Sequence, residues 1–316
     1  MATKRIALGC AVLVLALAGC GTQRAGDAAG GRQPAGAAAA AQPVTGVPLS
    51  SVPTAPTKGL AKGLTLPLDE YTYSARDRYA WQMAVQQGWR ACMQRYGFAG
   101  FGPPPPPAGT VTTQAESDMG RRYGITDLAG AQKHGYHLEG TAESPHWEPA
   151  PGAETAVFTG AGPELSEGTY DGKEVPEGGC RGEVGRQFPL PRSTEAEKAE
   201  MEAFEESRDD SRVVTAVAAW SACMEKKGYR VEHPFDAPDL VNESLSAPEP
   251  SAEEIRLASA DVACKGRTGL VPAWHEAETE RQRSKISEHR AGLSENKKAK
   301  DAAVAKAVTA YEQGAK

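Results

Sequence analysis

The sequence predicts a mainly α-helical protein with long irregular Gly/Pro-rich segments, in which two related disulfide-stapled helical units follow a disordered N-terminal tether. Three observations support this prediction. Apolar residues recur at helical spacing, the segment W-x-A-C-M-x3-G-aromatic occurs twice, and many of the 34 glycines and 23 prolines lie between the helical stretches. These signals divide the 316 residues into segments 1–19, 20–66, 67–193, 194–272 and 273–316.

Segment 1–19 has the organisation of a lipoprotein signal peptide. Lys4 and Arg5 precede an apolar run, and Leu17-Ala18-Gly19-Cys20 matches a lipobox. The run is about a dozen residues long, whereas a helix that spans a bilayer needs roughly 20. We therefore expect cleavage before Cys20 and attachment of lipid to Cys20. The anchor would hold the protein to the membrane at the outer face of the cell membrane.

Segment 20–66 is rich in Ala, Gly, Pro, Gln and Thr and poor in large apolar residues. Such a composition predicts a disordered linker, because the segment has too little apolar surface to bury. As a flexible coil it would reach on the order of 35 to 40 Å. We expect it to hold the folded part of the chain clear of the membrane surface.

The charge balance argues against nucleic acid as a partner. The chain has 35 Lys and Arg against 41 Asp and Glu, a net charge of -6. Loss of Lys4 and Arg5 with the signal would make it -8. An acidic surface repels phosphate backbones and anionic lipid headgroups.

Segment 67–193 opens with a predicted helix from Asp69 to Tyr96, in which Trp81, Val85, Trp89 and Cys92 share one face. Five consecutive prolines, 103–107, follow. They predict stiff polyproline II, either a ligand for an aromatic groove or, as we favour, a spacer.

The rest of segment 67–193 is predicted to be rich in loops. A brief helix should start at Thr126 as N-cap and stop at Gly135. Short strands are predicted near Ala156-Val157-Phe158, and a disulfide at Cys180 should hold the region down.

Segments 194–272 and 273–316 return to helical patterns. One helix is predicted from Thr194 to about Lys227, with a charged first half and an apolar second half. Ser251 should cap a further helix through Cys264. A long polar helix is predicted from Trp274 towards Tyr311, with a weak point at Gly292, and its sparse apolar residues predict that it projects from the domain or frays.

The duplicated segment has a mechanical interpretation. Its two copies start at Trp89 and Trp220, 131 residues apart, and each predicts the end of a helix. If the glycine of each copy lies just past the helix, the methionine and the aromatic residue occupy the two positions that touch in a Schellman stop. The tryptophan lies three residues before the cysteine, where it can cover a disulfide.

Once Cys10 is removed with the signal and Cys20 carries lipid, four cysteines remain. An even number in an exported chain favours two disulfides, and four thiols allow three pairings. A zinc site is disfavoured because no two of these cysteines have C-x2–4-C spacing. Each copy of the repeat is followed by a Cys-basic-Gly sequence, which favours the pairs Cys92–Cys180 and Cys223–Cys264.

The lipobox, the Gly/Ala/Pro-rich linker and the duplicated W-x-A-C-M-x3-G-aromatic segment resemble uncharacterised secreted lipoproteins of high-GC actinobacteria of the Streptomyces type. The resemblance covers most of the mature chain. It implies an exported, disulfide-bonded protein and implies no activity and no cofactor.

The sequence lacks the nucleophile elbow, zinc-protease, P-loop and dinucleotide-binding motifs. His134 and His137, with Glu139 and His146 nearby, are the best candidates for metal ligands. We favour ordinary surface histidines in a turn, because Gly135 ends the helix between the two rings and i, i+3 spacing suits a shared metal less well than i, i+4.

Two classes of function are compatible with these observations. The first is a non-catalytic envelope protein that binds a partner protein, a cell-wall polymer or a small ligand through the loop-rich region 98–180 and its exposed aromatic residues. The second is a cell-wall-modifying hydrolase, which would need two carboxyl groups roughly 5 to 9.5 Å apart across a groove. Because no catalytic set is visible, we favour the first.

Overall fold

The computed structural model describes residues 46–106, 109–111, 116, 118–138, 147–192 and 194–314, so the predicted signal peptide, Cys20 and the first part of the predicted linker lie outside the described residues. The described residues belong to one compact unit that is mainly helical. Within them, no helix has the length and apolar character that crossing a membrane requires.

The helices are α1 (Ala75–Arg95), α2 (Leu128–His134), α3 (Ala153–Thr159), α4 (Gly179–Gln187), α5 (Thr194–Arg208), α6 (Ser211–Glu225), α7 (Asn242–Leu245), α8 (Ala252–Thr268), α9 (Leu270–Glu288) and α10 (Arg290–Gly314). Short 3-10 turns occupy Leu49–Ser51, Pro67–Glu70, Met119–Arg121 and Ala237–Val241. Strands β1 (Thr169–Tyr170) and β2 (Lys173–Glu174) form an antiparallel hairpin.

Residues 46–66 pack against the helices, so the prediction of a disordered linker is wrong for this part of segment 20–66. Val52 is buried. Val47 is held at both of its polar groups: its amide donates to the Tyr79 hydroxyl at 2.7 Å and its carbonyl accepts from the Tyr311 hydroxyl at 2.8 Å. Isolated apolar residues such as these make no periodic pattern, which is why composition alone suggested a linker.

The C-terminal helix α10 lies along α1 and does not project as we expected. Ala307 packs with Ala84, and the rings of Tyr311 and Tyr79 meet edge to face with centroids 5.8 Å apart. Buried Lys300 adds a polar contact, because its ammonium donates to the carbonyl of Glu70 at 2.7 Å.

The predicted helix from Trp274 to Tyr311 is in fact two helices, α9 and α10, which meet at His289 and not at Gly292. Trp274 is fully buried and donates from its indole nitrogen to Ser207 Oγ at 2.8 Å. Helix α9 is therefore central to the core despite its polar sequence.

The helix predicted from Thr194 to Lys227 is also interrupted, between α5 and α6. Asp210 adopts an extended backbone there and caps α6, since its side chain accepts the amide of Arg212 at 3.0 Å. An internal N-cap of this kind ends one helix and starts the next without a proline or glycine.

In the loop-rich region, the strands predicted near Ala156-Val157-Phe158 are wrong, because these residues lie in helix α3. Helix α2 is capped one residue later than predicted, by Asp127, whose carboxylate accepts the amides of Ala129 and Gly130. The predicted cap of α8 is confirmed: Ser251 Oγ accepts the amide of Glu254 at 3.1 Å.

The structure confirms the Schellman stops at both copies of the repeat. Gly97 has φ +90° and Gly228 has φ +93°, the left-handed conformation that the motif requires. The diagnostic hydrogen bonds are Phe98 N to Met93 O at 3.2 Å, Gly97 N to Gln94 O at 3.0 Å, Tyr229 N to Met224 O at 3.0 Å and Gly228 N to Glu225 O at 2.9 Å.

Both expected disulfides are present. Cys92 in α1 is bonded to Cys180 in α4, and Cys223 in α6 is bonded to Cys264 in α8. Trp220 is fully buried in the same cluster as the second disulfide, as predicted, whereas Trp89 is only half-buried beside the first.

Candidate functional site

Helix α6 has one buried face and one open face. Its buried face packs on the core through Val213, Ala216, Trp220, Cys223 and Met224. The open face is a stripe at steps of three, one, three, one and three residues, formed by Val214, Val217, Ala218, Ser221, Ala222 and Glu225. Because that spacing follows the turn of a helix, these side chains make one continuous strip.

The strip is the floor of an open groove of about 560 Å³. Arg208 and Asp209, at the end of α5, line it together with Glu232 and His233 from the loop after α6. Val214 in this groove is 54% exposed. The groove therefore combines small apolar side chains on its floor with charged side chains at its margins.

Asp210 and Arg212 fix the start of the helix beside the groove. Besides capping α6, the Asp210 carboxylate accepts from Arg212 Nε and Nη2, each at 2.9 Å. The hydrogen bonds from the Arg212 side chain lower the pKa of Asp210 to about 2. Arg212 also reaches Glu280 on α9 at 2.7 Å, which ties α6 to α9.

His233 forms part of the groove wall and is held by aromatic contacts. Its ring stands edge-on to Trp274, with centroids 5.7 Å apart. Burial lowers its pKa, and the positive charge of Arg208 acts in the same direction. At neutral pH this side chain is therefore an uncharged part of the wall. The loop is fixed nearby, because Ser221 Oγ donates to the carbonyl of Val231 at 2.7 Å.

Behind the groove, Trp220 joins α6 to a buried ion pair on α8. Its indole nitrogen donates to Asp261 Oδ1 at 2.9 Å. Asp261 Oδ2 lies 3.1 Å from the ammonium of Lys265, which also donates to the carbonyl of Ile125 at 3.0 Å. Both charged side chains are fully buried. Desolvation lowers the pKa of Lys265 and raises that of Asp261, whereas the attraction between the two charges opposes both shifts.

A second interior network lies between α5 and α9. Arg122 donates from Nε to both carboxylate oxygens of Glu278, at 2.8 and 2.9 Å, and from Nη1 to Glu200 at 2.6 Å. Tyr123 adds a hydrogen bond to Glu278 at 2.8 Å. Burial raises the pKa of Glu200. These groups satisfy one another within the core and lie outside the groove.

The structure does not bring His134 and His137 together in a metal site. The described residues contain no group of three or more His, Cys, Asp and Glu side chains that could hold a metal ion. His137 Nε2 instead lies 3.3 Å from the carbonyl of Ser244 and 3.4 Å from buried Glu254. Glu139 and His146, the other candidates, lie outside the described residues.

The region 98–180, which we expected to expose its aromatic residues, buries several of them. Phe101 and Phe158 are almost inaccessible, and their ring centroids lie 4.9 Å apart. Trp147 packs edge-on against Phe101 at 5.1 Å. The expectation of an aromatic display surface is therefore wrong for these side chains, and the groove on α6 is the better candidate site.

No protein-family model, curated protein or solved structure matches this chain. The candidate site therefore depends on the geometry alone. Sequence reasoning identified the apolar second half of α6 but assigned no role to Val214 and Ala218, because periodicity alone does not distinguish a covered apolar stripe from an open one. The usable signal was that α6 has apolar residues on more than one face.

Proposed function

We propose that this chain is a non-catalytic cell-envelope protein, exported and anchored by lipid on Cys20 to the outer face of the cell membrane, that binds a partner through the α6 groove. The partner would be an envelope protein or a cell-wall polymer. The groove carries the proposal, because its open floor exposes apolar side chains of α6 between charged margins.

The rigidity of the floor supports a binding role. On its buried side, α6 is held by the Cys223–Cys264 disulfide and by the hydrogen bond of Trp220 to Asp261. A surface already fixed in its binding shape loses little conformational entropy when a partner docks. We infer that the two copies of the repeat are related helical units, each stapled by its disulfide to hold one helix face.

Replacing Cys20 with Ser tests the anchor. We expect the variant to appear in the culture medium, because position 20 then has no thiol for lipid attachment, whereas the parent stays with the membrane. Cys10→Ser is the matched control: it changes the other cysteine of segment 1–19 and should leave the protein on the membrane. Membrane retention of the Cys20→Ser protein would contradict the lipid anchor.

Cross-linking tests the binding site. A photo-reactive amino acid at position 218, in the groove, should give discrete cross-linked products in intact cells. The same group at position 298, exposed on α10, serves as the control. Identical products from both positions, or none from position 218, would refute binding through the groove.

A carboxylate-dependent cell-wall hydrolase is the second candidate, favoured by the three carboxylates that line the groove, Asp209, Glu225 and Glu232. A hydrolase of this class needs one carboxyl group with a raised pKa as its general acid. Burial raises the pKa of Asp69, Glu200 and Asp261, and none of these three carboxyl groups lines the groove.

Incubation with purified peptidoglycan separates the two candidates. We expect the protein to release no soluble sugar. Release by the parent chain that is abolished by Glu225→Gln or Glu232→Gln would establish the hydrolase and overturn the non-catalytic proposal.

A further inference from the structure

We propose that the α6 groove docks a cationic amphipathic helix of a partner protein. This inference rests on the proposed binding function and specifies the occupant of the same groove. It follows from a comparison of α6 with α1, from the dimensions of the groove and from its charge.

The repeat places α1 and α6 in register, so each position of α6 has an equivalent in α1, 131 residues earlier. The groove residues Val214 and Ala218 correspond to Met83 and Gln87. In α1 this face is covered by helix α10: Met83 packs with Tyr311, and Gln87 Nε2 donates to the carbonyl of Tyr311 at 3.5 Å. The chain thus shows a helix seated over the equivalents of Val214 and Ala218, whereas Ala91 and Gln94, the equivalents of Ala222 and Glu225, are exposed in α1.

On the face opposite to Met83 in α1 and to Val214 in α6, each helix carries a disulfide-bonded cysteine. Cys92 bonds to α4 and the equivalent Cys223 bonds to α8, so both helices hold their disulfide partner on the same side. The two helices differ on the other side, where α10 covers α1 and α6 is open. Among the described residues, no helix covers α6 at Val214 and Ala218, the positions whose equivalents in α1 contact α10.

The size of the groove suits a helix. From Val214 to Glu225 the floor rises by about 16 Å, or roughly three helical turns. Ala218 and Ala222 lie within the floor, and both are small and exposed. Small side chains at the contact allow helix axes to approach to about 8 Å.

The charge of the groove selects a cationic helix. Asp209, Glu225 and Glu232 line it against a single arginine, Arg208, and His233 is uncharged at neutral pH. Three carboxylates against one guanidinium leave an excess of negative charge, which attracts basic side chains and repels acidic ones. Basic residues that flank an apolar stripe would meet the carboxylates while the stripe covers Val214.

The probes are three synthetic peptides of about 18 residues, roughly five helical turns. The first has a Leu/Ala stripe with lysines on both flanks, the second has glutamates in place of the lysines, and the third is a scrambled version of the first. Each is titrated by calorimetry against the full exported chain carrying Cys20→Ser. We expect the lysine peptide to bind and the other two to bind at least about tenfold more weakly.

Two variants locate the site. Ala218→Arg adds bulk and positive charge in the groove, whereas Ala219→Arg makes the same change at the adjacent exposed position, which does not line it. We expect the first to weaken binding of the lysine peptide at least about tenfold and the second to change it less than about twofold. The double variant Glu225→Gln, Glu232→Gln should reduce the ratio between the affinities for the lysine peptide and the glutamate peptide.

Several results would overturn the inference: no binding of the lysine peptide, equal binding of the glutamate peptide, or equal effects of the two arginine variants. Self-association of the chain that Ala218→Arg abolishes would assign the groove to a second copy and also reject a partner helix. If the peptides fail while cross-linking from position 218 persists, the binding function stands and the helical occupant is wrong. If cross-linking from position 218 also fails, the proposed function is itself wrong.

Discussion

Replacing Lys265 with Met should strongly destabilise the fold. The Lys265 ammonium is fully buried and lies 3.1 Å from Asp261 and 3.0 Å from the carbonyl of Ile125. Without it, the Asp261 carboxylate keeps only the indole of Trp220 and the more distant hydroxyl of Tyr136, at 2.9 and 3.4 Å, as donors. Removing one partner of a buried ion pair costs about 3 to 5 kcal/mol.

Urea unfolding followed by tryptophan fluorescence measures the effect, since Trp220 adjoins the network. For an m-value of about 3 kcal/mol/M, the loss lowers the midpoint by roughly 1 to 1.7 M. Lys227→Met, on an exposed lysine, is the control and should change stability by less than about 0.5 kcal/mol.

The double variant Lys265→Met, Asp261→Asn provides a sharper test. An asparagine at position 261 retains an acceptor for Trp220 and carries no charge that needs a partner. We expect the two changes together to cost at least about 1 kcal/mol less than the sum of the single changes. Full additivity, or a loss below about 1 kcal/mol for Lys265→Met alone, would refute a buried and coupled pair.

Three further predictions concern α6 and its boundaries. Gly228→Ala should destabilise the protein by about 1 to 2 kcal/mol in urea unfolding, because φ is +93° and a Cβ there meets no atom within 4 Å, so the whole effect is backbone strain. Arg212→Ala should raise the pKa of Asp210 from about 2 towards its ordinary value near 4 in an NMR titration; since the folded-state pKa is depressed, stabilisation by this pair is present above pH 4 and is lost as the pH falls towards 2. Changing both Cys223 and Cys264 to Ala should lower the unfolding free energy by about 4 kcal/mol, the loop-closure value for a sequence separation of 41 residues. An unchanged urea midpoint would contradict the prediction for Gly228→Ala or for the double cysteine variant. An unchanged Asp210 titration would contradict the prediction for Arg212→Ala.

Sequence reasoning succeeded where a short segment determines its own structure. A methionine, a glycine and an aromatic residue at fixed spacing specify a Schellman stop, and both stops occur as predicted at Gly97 and Gly228. The disulfide pairing followed from the same repeat. A Schellman stop needs only the residues within one or two helical turns, so its prediction required no knowledge of the tertiary packing.

Sequence reasoning failed where a polar residue is buried with a distant partner. Glu278 and Gln282 belong to the polar helix that was predicted to project from the domain, yet both are fully buried in α9. Arg122, 156 residues before Glu278 in the chain, supplies the guanidinium that neutralises it. A prediction from hydrophobic periodicity treats polar positions as exposed. It therefore placed α9 outside the core and joined α9 and α10 into one helix.

The open face of α6 could not be predicted from the repeat or from hydrophobic periodicity, because it depends on which other helices pack nearby. The repeat specifies the helix end and the disulfide on each copy, but it specifies neither the neighbour on the opposite face nor whether there is one. In α1 that neighbour comes from α10, a helix too polar for its sequence to identify a docking face, and Val47 and Tyr79 secure it through Tyr311. In α6 the equivalent positions Val214 and Ala218 are exposed, in the groove that Asp209, Glu225 and Glu232 also line. This difference between the two copies is expected if α1, which α10 covers, stabilises the fold and α6, whose groove is open, is available to a partner.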